Sequence, residues 1–206
     1  MERIANYEQA REQFSRIVSQ HALRPGMKDL MSYLNDETDF QEAPCSTQHH
    51  LALRGGLLQH SLHVYAVLDL LNIDHALGYS AQTVATVALF HDVCKVNTYK
   101  EGFRWSKDSG KWEKVPTWKV EEHLPLGHGE KSVYILSRFL NLSDDEALAI
   151  RWHMGAFEPG VHFPYPTGYS FQAAQSKCPL VSALHIADMI ATNLAERNSQ
   201  AEAGKE

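Results

Sequence analysis

Two adjacent residues, His91 and Asp92, follow an apolar run of the chain and are the first candidates for chemistry. The run at 83–90 predicts a buried helix. A side chain that can carry a charge is costly in such a place unless it is paired or binds a metal ion. Because neighbouring helical residues point about 100° apart, one imidazole nitrogen and one carboxylate oxygen could flank the same point. We therefore interpret this pair as candidate metal ligands.

Further predicted core helices carry the same two residue types, which predicts one convergent site. Any one of these residues alone would more often be a satisfied core side chain than a ligand. Imidazole and carboxylate suit Mn, Fe, Co, Ni, Zn or Mg, and no cysteine stands where a thiolate ligand would be expected. Six ligands exceed what one octahedral ion takes while it keeps an open position, so we expect two divalent metals about 3.5–4 Å apart that share Asp92. The candidate ligands are His60, His91, Asp92, His128, His153 and Asp188.

Composition limits the kind of protein and its partners. The chain has 206 residues, 44% of them hydrophobic, which indicates a globular domain with a real core. A net charge of −6 speaks against strong non-specific binding to nucleic acid. Three separated cysteines, the absence of a signal-peptide core and the lack of a bilayer-length apolar run predict a cytoplasmic protein with no membrane partner. Homo-oligomer formation is left open.

Apolar periodicity predicts helices for most of the length, in one all-α domain over 1–196. Two N-terminal helices are expected at about 5–35 and the catalytic core at about 47–195. Ser80 and Ser143 are expected helix caps, the second within a capping box. Residues 155–179 are expected to form a long loop, and 197–206 a disordered tail.

A β-hairpin is expected near 98–120, inserted between helices, because the helical rhythm stops there and a turn signal follows Lys107. Its tryptophans, Trp105, Trp112 and Trp118, could stack a nucleobase, although aromatic residues on a two-stranded ribbon more often attach it to the domain. The candidate substrate contacts are Lys95, Trp105, Trp118 and Arg151.

The order His60, His91-Asp92 and Asp188 resembles the signature of the HD superfamily of metal-dependent phosphohydrolases. The additional His128 and His153 resemble its two-metal branch. Segment 47–195 is similar to the catalytic domain of bacterial 3′-to-5′ exoribonucleases, and the segments at 127–132 and 151–155 resemble stand-alone HD hydrolases of bacteria and phages. Nothing resembles the oligonucleotide-binding barrel of those exoribonucleases. Cleavage of a nucleotide or another small phosphoester is therefore expected rather than RNA degradation.

The resemblance implies a helical bundle of the HD type and an assignment of roles. One metal would be held by His60, His91, Asp92 and Asp188, and the second by Asp92, His128 and His153. A metal-bound hydroxide would attack phosphorus, with Asp92 and Lys95 as the catalytic residues. The alternatives that stay open are a di-iron oxygenase of the HD type and a non-catalytic nucleotide-binding module.

Overall fold

The computed structural model describes residues 7–48, 50–107, 110–158, 161 and 166–196. Within these ranges the fold consists of α-helices and one antiparallel hairpin, which confirms the predicted all-α architecture with an inserted β-hairpin. The elements are α1 Tyr7–Ile17, α2 Met27–Asp36, α3 Gly56–Asp74, α4 Ala81–Phe90, β1 Tyr99–Ser106, β2 Glu113–Val120, α5 His128–Ser137, α6 Asp144–Trp152, α7 Pro166–Lys177 and α8 Pro179–Ile190. Short π-helical segments follow α1 at Val18–Ala22 and α8 at Ala191–Ala195, and 3₁₀ turns lie at Val93–Lys95 and Gly155–Phe157.

Helix α3 lies at the centre of the core, where it contacts α1, α4 and α8. Its buried residues run from Gly56 to Leu68 and cover most of the circumference, so this part of the helix is enclosed by other helices. Helix α4 is buried from Val84 to Phe90. The polar residues His60 on α3 and His91 after α4 therefore lie inside the core, where they need polar partners.

Two serine caps fix the beginnings of helices whose other ends carry candidate ligands. The Ser80 hydroxyl accepts a hydrogen bond from the Thr83 backbone N–H at 3.1 Å. At Ser143 the predicted capping box is present, with reciprocal bonds between Ser143 and Glu146. These bonds satisfy backbone N–H groups in the first turns of α4 and α6.

The expectation of a long loop over 155–179 is wrong, because α7 occupies Pro166–Lys177. The segment is polar and contains Gly168, so its local sequence does not indicate a helix. Tertiary packing decides instead: Phe171 and Ala174, nearly one turn apart, are both buried, and the Phe171 ring lies 5.6 Å from the Trp152 ring. The predicted disordered tail at 197–206 lies outside the described residues.

The hairpin spans the predicted region, and its register pairs Tyr99 with Val120 at the foot and Ser106 with Glu113 at the tip. Trp118 is half-buried and its indole N–H donates to the Ala52 carbonyl at 3.2 Å, so this tryptophan attaches the ribbon to the segment before α3. Trp105, in contrast, is 66% exposed.

Among the described residues, no single helix has both the length and the apolar character needed to cross a bilayer; α7 and α8 together pass by length and composition, but they are bent by 102° at the break between them.

The different roles of the two tryptophans predict different stabilities. Trp118→Ala removes half-buried packing and the bond to Ala52, so we expect a loss of about 1–3 kcal/mol in the free energy of unfolding. Trp105→Ala, which truncates an exposed ring, should change it by less than about 0.5 kcal/mol. Chemical denaturation of both variants measures the difference. Equal losses would show that Trp118 does not anchor the hairpin.

Candidate metal centre

The carboxylate of Asp92 is the point on which the candidate ligands converge. Asp92 is only 3% exposed. Its Oδ1 lies 2.7 Å from Nε2 of His128 and 3.3 Å from Nε2 of His153. Its Oδ2 lies 3.6 Å from Nε2 of His91 and 3.7 Å from Nε2 of His60. Each carboxylate oxygen is therefore faced by its own pair of imidazoles.

Asp188 completes the cluster from α8. Its Oδ1 lies 3.2 Å from Nε2 of His60, on the Oδ2 side of Asp92. Ligand atoms of His91, His153 and Asp188 also lie within 4.8 Å of one another. The structure thus brings all six sequence-predicted ligands together, from α3, α8 and the ends of α4, α5 and α6.

Close packing of α5 on α6 brings the two imidazoles of the Oδ1 side together. A Cβ atom at Gly129 would lie 2.1 Å from the Arg151 carbonyl oxygen, so the two backbones approach as closely as they do only because position 129 is a glycine. As a result the rings of His128 and His153 lie 5.2 Å apart. Gly129, within the segment at 127–132, therefore has a packing role next to the candidate ligand His128.

His91 and His153 occupy equivalent positions, because each is the C-cap residue of its helix. Nδ1 of His91 donates to the Ala88 carbonyl at 2.9 Å, and Nδ1 of His153 donates to the Ile150 carbonyl at 2.7 Å. Both bonds satisfy a helix-end carbonyl that lacks an intrahelical partner. They also fix the tautomer, because a proton on Nδ1 leaves the Nε2 lone pair free to face Asp92.

These two Nε2 atoms provide the test of whether a metal fits. Both are buried, and neither makes a hydrogen bond with the described part of the chain. Burial also lowers the pKa of His91 to about 4, so its imidazole is neutral near pH 7, as a metal ligand must be. Oriented imidazoles beside a buried carboxylate match the donor set that divalent transition metals prefer. The residues present therefore fit a divalent metal, and the number of ions stays a prediction.

Glu196 binds the ring nitrogen of His60 that does not face Asp92, a contact that the sequence did not predict. Its carboxylate accepts hydrogen bonds from Nδ1 of His60 at 3.0 Å and from Nδ1 of His63 at 2.9 Å. Burial alone would raise the pKa of Glu196, but His60 and His63 lower it to about 2. The carboxylate therefore stays ionised and holds the His60 ring with Nε2 towards the cluster, as carboxylate partners of metal-binding histidines do.

Lys95, the predicted phosphate-binding residue, lies directly beside the cluster. Its Nζ is 2.6 Å from Oδ2 of Asp92 and 3.5 Å from Sγ of Cys45. Burial alone would lower the pKa of Lys95, but Asp92 raises it well above the usual range. The ammonium group is thus a fixed positive charge at the candidate site.

Two thiols also lie beside the cluster, which the spacing of the cysteines did not indicate. Sγ of Cys94 is 3.5 Å from His128, and Sγ of Cys45 is 3.3 Å from Nε2 of His50. Burial raises the pKa of Cys45 to about 11, so this side chain is a thiol rather than a thiolate near neutral pH. Cys45 is therefore a weaker candidate ligand than the imidazoles and carboxylates, whereas Cys94 belongs to a group with Asp92 and His128 that could hold a metal ion.

A cleft of about 500 Å³ opens over the cluster. Some of the predicted substrate-contact residues line it and others do not. Asp92, Lys95, His128 and Asp188 line it, and the hairpin contributes Tyr99 and Val120 from its foot. Trp105, Trp118 and Arg151 are not among its described lining residues, so their substrate contacts stay predictions. Arg151 instead stacks over the Trp152 ring at 4.0 Å and pairs with Glu130 and Glu158.

Comparison with known families agrees with this geometry. The family model described as HD domain matches residues 57–193, about two thirds of the chain. The chain belongs to the HD-domain family. Membership of this family suggests a metal-dependent hydrolase, and the matched range contains all six candidate ligands that the sequence predicted. Neither a curated protein nor a solved structure matches the chain.

Loss of the Glu196 carboxylate, which orients His60, should weaken metal binding without removing a candidate ligand. We expect Glu196→Gln to lower the affinity for Mn²⁺ by about ten- to a hundredfold, because the ring of His60 is then less firmly oriented. Isothermal titration calorimetry on chelator-treated protein measures the affinity. His63→Gln is the matched control, since it breaks the other bond to the same carboxylate. An equal loss of affinity in both variants would contradict a specific role of Glu196 in orienting His60.

Proposed function

We propose that this HD-domain protein is a metal-dependent phosphohydrolase that cleaves a phosphoester of a nucleotide or a related small phosphorylated substrate. The observation that carries the proposal is the division of the Asp92 carboxylate between two pairs of imidazoles. A carboxylate shared in this way could hold two metal ions close together, and a two-metal phosphoesterase uses such a pair to stabilise the attacking and leaving oxygens. The family supports a hydrolase, and the donor set is of the kind that family would use.

The ligands would divide into two groups around the shared carboxylate. His60, His91 and Asp188 would hold one ion with Oδ2 of Asp92, and His128 and His153 would hold the second with Oδ1. Two such ions, taken from Mn, Fe, Co, Ni, Zn or Mg, would polarise the phosphoryl oxygens and lower the pKa of an attacking water. The protein's part is to hold these ligands in fixed tautomers within a largely buried site.

Lys95 gives the cleft a positive charge that does not depend on a bound ion. Its ammonium group is anchored on Asp92 and lines the cleft. A charge held in place before the reaction stabilises developing negative charge on phosphoryl oxygens more effectively than a mobile one, because no reorganisation is needed. We therefore assign Lys95 to the binding of the phosphoryl group.

The shape of the cleft favours a small substrate with an apolar part. Its volume of about 500 Å³ lies within the usual range for small-molecule pockets. Beside the charged residues, Met154, Phe157 and Met189 provide apolar lining. A nucleoside phosphate combines a charged end with a flat, less polar base and would match both parts.

A screen for phosphate release tests the proposed activity. The protein, loaded in turn with each candidate metal, is incubated with nucleotides and small phosphoesters. Asp92→Asn should lose both metals and lower turnover at least about a hundredfold, because it removes the charge that both groups of ligands share. Asp74→Asn, the same change at an exposed position that ends α3, is the control.

Phosphate release by Asp92→Asn at the parent rate would contradict the proposal. So would oxygen uptake by the iron-loaded protein without phosphate release from any substrate, which would favour the oxygenase.

A further inference from the structure

A thiol and two imidazoles form a second group of possible ligands beside the cluster around Asp92. Ligand atoms of Cys45, His50 and His60 all lie within 4.8 Å of one another. Sγ of Cys45 is 3.3 Å from Nε2 of His50, and the rings of His50 and His60 are 5.3 Å apart. Of these three residues, His60 alone is among the six candidate ligands of the proposed pair of ions. Cys45 and His50 therefore have no role in that pair.

The spacing of the thiol and the imidazole matches two ligands of one tetrahedral ion. Zn–S bonds are about 2.3 Å long and Zn–N bonds about 2.0–2.1 Å, so tetrahedral zinc separates a sulfur from a nitrogen ligand by about 3.5 Å. The 3.3 Å between Cys45 and His50 is close to this separation. Four residues lie between the two in the chain, a spacing that is usual for neighbouring zinc ligands. One ion could therefore bind both side chains with little movement.

Backbone hydrogen bonds hold the loop that carries Cys45 and His50. The Cys45 backbone N–H donates to the Leu51 carbonyl at 3.0 Å. The Ser46 hydroxyl donates to the His50 carbonyl at 2.9 Å. Both bonds connect the beginning of the loop to its end, so they fix the two side chains relative to each other before any ion binds.

A close contact with the beginning of α3 places this loop beside His60. A Cβ atom at Gly56 would lie 2.0 Å from the Leu51 carbonyl oxygen and 3.0 Å from the Cys45 backbone nitrogen. The loop lies this close to α3 only because position 56 is a glycine. His60 follows Gly56 by four residues, about one helical turn. The loop and the helix thus present the three side chains to the same place.

The group is accessible and faces charges of both signs. Cys45, His50 and His60 all line the cleft of about 500 Å³, so an ion can reach them from there. Nζ of Lys95 lies 3.5 Å from Sγ of Cys45, where a positive charge favours a thiolate. Oε2 of Glu196 lies 4.0 Å from Nε2 of His50, where a negative charge favours a bound cation.

The thiol determines which metals such a site would take. Cysteine binds a metal as the thiolate, so an incoming ion must displace the thiol proton, which passes to the solvent. Burial of Cys45 opposes the charged thiolate, and only an ion with a strong preference for sulfur offsets that cost. Zinc has this preference, whereas magnesium and manganese favour oxygen ligands.

We propose that Cys45, His50 and His60 form a further metal site, which binds a thiophilic divalent ion such as Zn²⁺ and competes with the Asp92 centre for His60. Nδ1 of His60 donates to Glu196, so Nε2 is the only ring nitrogen that can bind a metal, and one lone pair binds one ion. Zinc at this site would therefore take His60 from the Asp92 centre. The predicted consequence, inhibition by zinc, rests on the proposed hydrolase, whereas binding does not.

Cobalt absorption tests whether a thiolate binds the ion. A thiolate bound to Co²⁺ gives a charge-transfer band in the near ultraviolet, which imidazole and carboxylate ligands do not give. We expect this band when reduced, metal-free protein is titrated with Co²⁺. Cys45→Ser should lose it, and Cys94→Ser and Cys178→Ser should keep it. A band that survives Cys45→Ser and disappears in Cys94→Ser would assign the thiolate to the Asp92 centre and overturn the proposal. Absence of a band in the parent protein would also overturn it.

His50→Gln tests the imidazole and leaves the thiol in place. It should raise the Co²⁺ concentration at half-maximal absorption at least about tenfold, because it removes one ligand. His75→Gln, the same change at an exposed position after α3, is the matched control and should not shift it. An equal midpoint in both variants would show that His50 is not a ligand and overturn the proposal.

Thermal unfolding with and without Zn²⁺ keeps the test independent of misfolding. A ligand that binds only the folded state raises the melting temperature. We expect Zn²⁺ to raise it less in Cys45→Ser and His50→Gln than in the parent, with metal-free melting temperatures that stay close together. Equal stabilisation of all three proteins by Zn²⁺ would overturn the proposal.

A cobalt titration in the presence of saturating Mn²⁺ tests the competition for His60. Manganese at the Asp92 centre should raise the midpoint of the charge-transfer band about tenfold, and Asp92→Asn should abolish this shift. An unchanged midpoint in the parent would overturn the shared use of His60. Phosphate release by a protein without the band would overturn the site and leave the hydrolase standing. A band that depends on Cys45 in a protein that hydrolyses no phosphoester would support the site and contradict the hydrolase.

Discussion

The buried carboxylate of Asp92 is the constraint on which the rest of this structure depends. An isolated ionised carboxylate inside a protein costs several kcal/mol unless opposite charges and hydrogen bonds offset that cost. Here Lys95 and four imidazoles surround it, and chiefly Lys95 and His91 hold the pKa of Asp92 well below its usual range although burial alone would raise it. The fold must therefore deliver these groups to one point in the core.

Three of the four imidazoles around Asp92 lie at helix ends. His91 and His153 both close a helix, and both use Nδ1 to satisfy the carbonyl three residues earlier. A single backbone bond thus caps the helix and fixes the tautomer and the direction of Nε2. His128 begins its helix, and the glycine that follows lets α5 approach α6. Stability and function are consequently difficult to separate here, because the same contacts serve both.

The candidate ligands could be selected from the sequence because each is a polar residue in apolar surroundings or part of a family motif. His60, His91 and His153 are polar residues in apolar helices, and a motif known from a family linked them to Asp188. The caps at Ser80 and Ser143 were equally local signals, and so was the turn of the hairpin. Each of these features is visible within a few residues of the chain.

The features that were missed depend on contacts between distant parts of the chain. Glu196 bonds to His60 across 136 positions, and nothing near Glu196 in the sequence marks it as different from a surface carboxylate. Cys45 and Cys94 reach the site only through tertiary packing. Helix α7 forms because Phe171 and Ala174 are buried, whereas its own residues favour a loop. Burial and long-range pairing decide these cases, and a local pattern contains neither.

Anomalous diffraction from crystals soaked in manganese tests most directly whether two ions share Asp92. We predict two anomalous peaks about 3.5–4 Å apart, one beside each oxygen of the Asp92 carboxylate. A single peak at full occupancy, or peaks that lie away from Asp92, would contradict it.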